Sequence, residues 1–359
     1  MALTADVLVI GAGIIGCGIA CELAKVGVRV VVAERGDIGR ESSWAAAGVC
    51  IAQRPGHHWL NRLRNESQRL YPQWVAELKE QTGIDAEWCP CGRLELFGDE
   101  SEWQKATQVA HSLRESGVAV DVLTAEEVRK VEPTVTEQVV GALLWHDDAH
   151  VRNPRLVRAL ALAAMRRSAI FLPHSPVLSL RLSDHGVEAQ AGNERVSAGS
   201  LVIAAGCWSN FFGAMLGVDI AVAPVRGQIV LLETMPTLLR HIVEWGDVYL
   251  VPRRDGKVLV GATVEFVGYD KRTTAEGVAM LLRAALQAVP SLTQAHFVTA
   301  WAGLRPYAER PLIGQLAGSA NAFMATGHFR LGIQLAPATA LVIRDFLLTG
   351  QSDWFNPMA

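Results

Sequence analysis

Gly11-Ala12-Gly13-Ile14-Ile15-Gly16 follows a short β-branched apolar run (Asp6 to Ile10) and opens a helical stretch from Ile14 to Lys25 that Gly27 closes. A second apolar run, Val28 to Ala33, comes next and ends in Glu34. The order is strand, glycine turn, helix, strand, and the strands have the composition of strands buried on both faces. Each glycine has its own task. Gly11 permits the tight turn off the strand, Gly13 lets backbone approach a pyrophosphate, and Gly16 lets helix and strand pack closely. The helix N-terminus offers unpaired amides and the positive end of its dipole to phosphates. Glu34 stands eighteen residues past Gly16, where its carboxylate can accept from ribose hydroxyls and repel a 2′-phosphate. The pattern predicts a dinucleotide-binding α/β fold and leaves NAD and FAD equally open.

The same stretch is the most membrane-like part of an apolar chain: 50% of the 359 residues are hydrophobic and 19% charged. Val7 to Ala24 nearly reaches the length of a span, yet it holds four glycines and Glu22, and Lys25 follows. The start, MALTAD, has an acid and no base, unlike a secretory signal. No transmembrane segment is expected. With 33 basic against 36 acidic residues and a net charge of −3, no global field favours nucleic acid or an anionic membrane surface. Of six cysteines, Cys17 and Cys21 read as small buried thiols, and Cys89-Pro-Cys91 is too short for a zinc knuckle and lacks a second pair. No metal site and a reducing, cytoplasmic compartment are expected.

Ser42-Ser43 and Ala46-Ala47-Gly48 form a turn of small residues whose hydroxyls and amides can reach a diphosphate or ribityl chain, with room for a flat ring. A long helix is expected from His58 to Gln81, and shorter ones over Glu100 to Ser116 and Ala125 to Val131. Asn153 to Arg166 reads as a helix with Asn153 as cap and Pro154 at its first position. Antiparallel strands are expected at Val222 to Glu233, His241 to Pro252 and Lys257 to Ala262, and a closing helix at Pro337 to Leu348. The two textures interleave, so discontinuous domains are expected: 1–88, 142–221 and 298–359 against 89–141 and 222–297. Near the end, Ala302-Gly303-Leu304-Arg305-Pro306 and Gly327-His328-Phe329-Arg330-Leu331-Gly332 set two arginines in apolar surroundings. A buried cation needs a partner, which a structural acid or a substrate carboxylate could supply.

These residues resemble the FAD-dependent amine oxidases of the D-amino-acid oxidase group, and within it the glycine oxidases, over nearly the whole chain. The landmarks are VIGAGIIG (9–16), SSWAAAGV (42–49), SQRLYPQW (67–74), DDAHVRNPRLV (147–157), AAGCWS (204–209), APVRGQ (223–228), YLVPRRDGKVLVGAT (249–263), WAGLRP (301–306) and GHFRLGIQLAPAT (327–339). The resemblance implies a Rossmann-like FAD-binding domain of the GR2 type with an interleaved α+β substrate domain on an antiparallel sheet. It places Gly11, Gly13, Ile14, Ile15, Gly16, Glu34, Arg35, Ser42, Ser43, Ala47, Gly48, Val49 and Gly206 about the nucleotide or flavin. Val177 would hold adenine through its backbone, and His328, Phe329, Arg330, Leu331, Gly332, Ile333 and Gln334 would wrap the flavin. Arg305 would clamp the substrate carboxylate, Tyr249 would add a hydroxyl, and Arg330 would lie beside the substrate. The chain departs from the glycine oxidase pattern at Asp247, Val264 and Leu331, where histidine, methionine and asparagine are expected. No histidine or cysteine matches a covalent flavin attachment, so non-covalent FAD is implied.

The implied reaction is oxidative deamination of glycine, another small amine or a D-amino acid. Hydride passes to flavin, the imine hydrolyses to a 2-oxo acid (glyoxylate from glycine) and ammonia, and molecular oxygen is reduced to hydrogen peroxide, in supply of thiamine thiazole. A quinone-linked D-amino-acid dehydrogenase, an oxidase of sarcosine or N-substituted glycines and a nucleotide sensor without turnover stay open as alternatives. A homo-oligomer, tetrameric by the resemblance, is expected.

Overall fold

A computed structural model describes residues 2–52 and 58–352. One hydrogen-bonded sheet of 15 strands runs through it and changes character partway. At one end it is parallel. Strand Leu3–Ile10 lies between Val30–Ala33 and Glu194–Ile203, with Ile170–Leu172 beyond the first and Ala322–His328 beyond the second. Val7 and Val9 point into a core shared with helices Ile14–Lys25, Trp59–Thr82, Asn153–Met165 and Gly332–Thr349. Leu8 and Ile10 point the other way, into a core closed by the antiparallel pair Val177–Ser183 and Gly186–Ala191. Strands covered on both faces account for much of the chain's apolar composition.

Ala322–His328 is the junction. On its far edge it takes an antiparallel partner, His296–Gln315, whose 20 residues carry the sheet beyond the parallel layer. That strand pairs antiparallel with Ala223–Glu233, and Lys257–Gly261, Val248–Pro252 and Ile242–Trp245 follow in turn. Helix Ala275–Ala288 covers this part, setting Leu281 and Ala285 in one core with Val230, Leu250 and Val260. The architecture is the expected α/β one, with its antiparallel part interleaved in sequence and hydrogen-bonded into the same sheet.

Four local readings change. Residues 141–145, divided at 142 in the sequence reading, form one strand between Arg93–Phe97 and Val120–Thr124, and Ala142 and Leu144 join the antiparallel part's core. His241 to Pro252 is a hairpin, turning at Gly246 (φ +57°) and Asp247. Asn153 does not cap its helix: its amide donates across the fold to the Ser43 and Trp44 carbonyls. The closing helix begins at Gly332, and Pro337 lies inside it.

That proline removes an N–H whose acceptor would have been the Ile333 carbonyl. Helix Trp59–Thr82 supplies the repair. The Tyr71 hydroxyl donates to the Ile333 carbonyl, and Ser67 Oγ, one turn earlier, donates to Gln334 O at 2.6 Å and accepts from Ala338 N at 3.3 Å. Phe329–Thr349 is also the one described segment whose length and hydropathy would suffice to cross a membrane, a feature the sequence reading did not single out. Here Leu335, Ala336 and Ile343 pack against the helices Ile14–Lys25 and Trp59–Thr82.

Tyr71→Phe should leave the buried Ile333 carbonyl unpaired and cost about 1–3 kcal/mol in urea unfolding. An unchanged midpoint would show that the proline needs no repair.

Candidate functional site

The ends of the parallel strands open into a cavity of about 560 Å³, within the range of sites for small molecules and cofactors. Its floor is laid by Ile10, Ala33 and Ala204, at or just past the carboxyl ends of parallel strands, where open α/β sheets bind ligands, and by Ala325 within strand Ala322–His328. It then runs beneath the start of helix Gly332–Thr349 to Ile229, Tyr249 and Arg305 on the antiparallel part. Every site residue named from the sequence lines it except Gly16. Gly16 has the packing task instead, since a Cβ there would stand 1.9 Å from the Gly11 carbonyl oxygen. Gly11 has φ +103° and no room for a side chain against Ala204.

Glu34 sits where the fingerprint places it. Its Oε2 accepts from Ala12 N at 2.8 Å and its Oε1 from Gly36 N at 3.0 Å, which fixes the carboxylate at the cavity edge. A carboxylate has about four acceptor sites, so two remain for ribose hydroxyls. Ser175 N donates to the Glu34 carbonyl at 2.8 Å, bringing Pro176 and Val177 to the same end. Arg35 stacks 3.6 Å above the Trp208 ring and donates to Glu41 at 2.8 Å.

The segment Ser42 to Val49 forms the next wall. Ser43 Oγ accepts from Ile14 N at 2.9 Å, and the Ser42 hydroxyl donates to the Leu304 carbonyl. Trp301 Nε1 donates to Ala45 O at 3.1 Å and Arg253 Nη2 to Ala47 O at 2.6 Å. Gly48 has φ +77°, and a Cβ there would come within 2.0 Å of the Val151 carbonyl. Asn153, Arg253 and Trp301 thus shape the wall from distant parts of the chain. They lie within motifs quoted above, but nothing in their spacing separates them from ordinary packing residues.

At the far end, His328 to Gln334 turn from the last parallel strand into the closing helix and line the cavity throughout. Phe329 holds φ +48°, a strained value for an aromatic residue, and its ring meets Tyr307 edge-on at 5.2 Å. His328 is buried, with Nε2 3.1 Å from Thr339 Oγ1, and burial lowers its pKa to about 4. Arg305 Nη1 donates to Thr263 O at 2.8 Å. A Cβ on Gly227 would fall 2.3 Å from the Arg305 guanidinium, and one on Gly261 would fall 2.9 Å from the Tyr249 oxygen, so two glycines make space for these side chains. Burial lowers the pKa of Arg305. Burial also raises that of Tyr249, with the Arg305 charge pulling the other way, and the phenol remains a donor at neutral pH. Among the described residues no acid forms an ion pair with Arg305 or Arg330. Within the described residues, then, neither arginine has the structural partner that the sequence left open as an alternative. Glu244 and Arg93 also line this end, joined to each other as an ion pair, and Asp247 lies at its exposed rim. The sequence reading did not assign Glu244 or Arg93.

The arrangement fits FAD. A glycine turn and helix start face one end, an acid stands just beyond the second strand, and small residues and backbone line the stretch between. The far end offers apolar side chains and backbone with a cationic corner at Arg305. Non-covalent binding is in keeping with it: among the described residues no cysteine lines the cavity, and the histidine that does, His328, is engaged with Thr339.

Comparison with known proteins agrees. A family model described as FAD dependent oxidoreductase matches residues 6–346. Glycine oxidase of Pseudomonas putida is 35% identical, covering 98% of this chain and 96% of that protein. The crystal structure of glycine oxidase from Geobacillus kaustophilus superposes with a TM-score of 0.95 at 33% identity, covering 99% of this chain and 98% of that one. The bifunctional protein ThiO/ThiG of Trichormus variabilis is 32% identical over 98% of this chain, which spans 54% of that longer protein.

Burial of His328 also sets a pH dependence. With a folded pKa of about 4 against 6.5 for the free side chain, the unfolded chain binds the extra proton first. The stability this histidine contributes is therefore complete above pH 6.5 and falls as pH drops towards 4. His328→Gln should lose about 2 kcal/mol less than the parent between pH 7 and 4.5 in urea unfolding; equal losses would contradict the assignment.

Proposed function

The chain belongs to the FAD-dependent oxidoreductase family, and from that premise we propose that it is an oxidase of glycine, yielding glyoxylate, ammonia and hydrogen peroxide. The observation that carries this reading is the guanidinium of Arg305, half-buried and without an acidic partner among the described residues, beside a phenol that remains protonated. A substrate carboxylate supplies the missing counter-charge. Arg305 binds it by charge-assisted hydrogen bonds and Tyr249 donates a further one. Arg330, exposed at the cavity rim, adds positive potential to the approach. Fixing the carboxylate from one side restricts the orientations open to the Cα–H bonds of a small amino acid, which is the entropic part of the catalysis.

FAD, when bound, supplies the two-electron acceptor for that Cα–H bond and passes the electrons to oxygen. In the proposed assignment Gly11, Gly13, Ile14, Ile15, Ser42 and Ser43 face its pyrophosphate, with Gly206 beside the nucleotide. Glu34 takes the ribose, and Arg35 and Val177 the adenine end. Ala47, Gly48, Val49 and the backbone from His328 to Gln334 hold the flavin, with Gly16 acting through packing. Ile229, Ile242 and Ala262 keep the substrate end apolar and exclude water.

The reading extends to supply of thiamine thiazole, for which the likeness to a bifunctional ThiO/ThiG protein is the support. It includes a reducing cytoplasm, since all six cysteines are free thiols. It also includes a homo-oligomer, tetrameric by resemblance, which would cover exposed side chains such as Phe266 and Phe297. The division between a FAD-binding part and a substrate-binding part is retained, with the strand to Trp145 assigned to the latter.

Arg305→Ala should lower kcat/KM for glycine roughly 10²-fold, mostly through KM, while the protein stays yellow with full flavin content. Loss of flavin with unchanged affinity for glycine would overturn the carboxylate role.

A further inference from the structure

Cys89 and Cys91 have no task in the function proposed above, and the fold gives them a partner from far along the chain. Cys89 and His150 exchange two backbone hydrogen bonds, at 2.9 and 3.0 Å. One ligand-type atom from each of Cys89, Cys91 and His150 lies within 4.8 Å of the others. Such a trio could hold a metal ion or act as a redox pair, and the imidazole discriminates between them. Arg253 Nη1 lies 3.1 Å from His150 Nδ1. A guanidinium only donates, so Nδ1 accepts and the hydrogen of the neutral ring is on Nε2. Burial, with the nearby Arg253 charge, keeps the ring neutral. A metal at Nε2 would require an imidazolate, whereas histidine ligands ordinarily donate their second N–H to a carboxylate or carbonyl.

The Nε2 hydrogen suits a thiolate instead. Hydrogen bonds from Cys91 and then from His150, with the charge of Arg254 nearby, hold the Cys89 thiol well below its ordinary range. The same pairing and burial push the Cys91 thiol up. A thiolate beside a retained thiol is the arrangement of an attacking and a resolving cysteine. Both sulfur-bearing residues are half-buried, not sealed in the core.

We propose that Cys89 and Cys91 are a peroxide-oxidised thiol pair set against the wall of the flavin cavity. The Cys89 thiolate attacks one oxygen of hydrogen peroxide, the O–O bond breaks, and with one proton the other oxygen leaves as water, giving a sulfenic acid. The Cys91 sulfur then attacks the Cys89 sulfur, the S–O bond breaks, and the hydroxide takes the Cys91 proton. The two thiols lose two electrons to form a disulfide, and one peroxide becomes two waters. Cys91 packs in one cluster with Ala47, Val49 and Tyr249, and Val49 pairs with His150 across a short ladder. The disulfide therefore forms against residues that shape the site. The proposal rests on the oxidase reading only for a nearby source of peroxide.

The test treats the reduced flavoprotein with reagent hydrogen peroxide and follows the tryptic peptide 80–93, which contains both cysteines. The peptide should lose two hydrogens in mass and regain them on reduction. In Cys91→Ser, dimedone should label Cys89. His150→Leu should slow the oxidation at least about tenfold, and His150→Gln, which keeps an N–H donor, should restore much of the rate. A peptide unchanged by peroxide, dimedone on Cys91 of a Cys89→Ser protein at the parental rate, or stoichiometric zinc retained by the parent and lost in Cys89→Ser would each overturn the proposal. A second arm replaces the reagent with glycine in air. Disulfide formed by reagent peroxide and not by glycine upholds the thiol pair and counts against the oxidase reading.

Discussion

Ser43 accepts from the Ile14 amide while Ser42 donates to the Leu304 carbonyl, so two adjacent hydroxyls tie the start of the nucleotide helix to the strand that carries Arg305. Everything else in the site depends on that tie. The parallel layer presents the glycine turn and Glu34; the antiparallel part presents Tyr249 and Arg305. A cofactor long enough to reach from one to the other is useful only if the distance between them is fixed. The segment from Ser42 to Val49 fixes it, and Trp301, Arg253 and Asn153 hold that segment from three further directions.

The same architecture explains how positive charges survive in an apolar region. Arg93, Arg226 and Arg253 are buried with protein partners: Asp148 and Glu244 for the first, Glu265 for the second, and backbone carbonyls for the third. Arg305 has a carbonyl and a phenol but no acid among the described residues, and it sits in the cavity. A half-buried cation left short of counter-charge is costly to a fold and useful to a binding site.

The parallel fold was legible because its constraints are local. Gly11 needs a positive φ, Gly16 needs to lack a Cβ, and Glu34 follows at a fixed spacing. Helix Ile14–Lys25 has the bounds its pattern predicts. What the pattern misplaced depends on partners distant in sequence. Pro337 looks like a helix start until Tyr71 is seen to satisfy the carbonyl it leaves open and Ser67 the next one along. Asn153 looks like a cap until the Ser43 and Trp44 carbonyls come within reach. Cys89-Pro-Cys91 looks inert until His150 is brought beside it. The departures at Asp247 and Leu331 were visible in the sequence, but their place in the cavity lining emerges only from the fold.

The central claim is that this cavity holds a flavin and presents glycine to it, fixed by Arg305 and Tyr249. The most direct measurement is the visible spectrum of the purified yellow protein on anaerobic addition of glycine. The account predicts bleaching of the flavin absorbance by glycine and its return on admitting air, with peroxide formed. Flavin that stays oxidised under saturating glycine, yet is reduced by a chemical reductant, would contradict it.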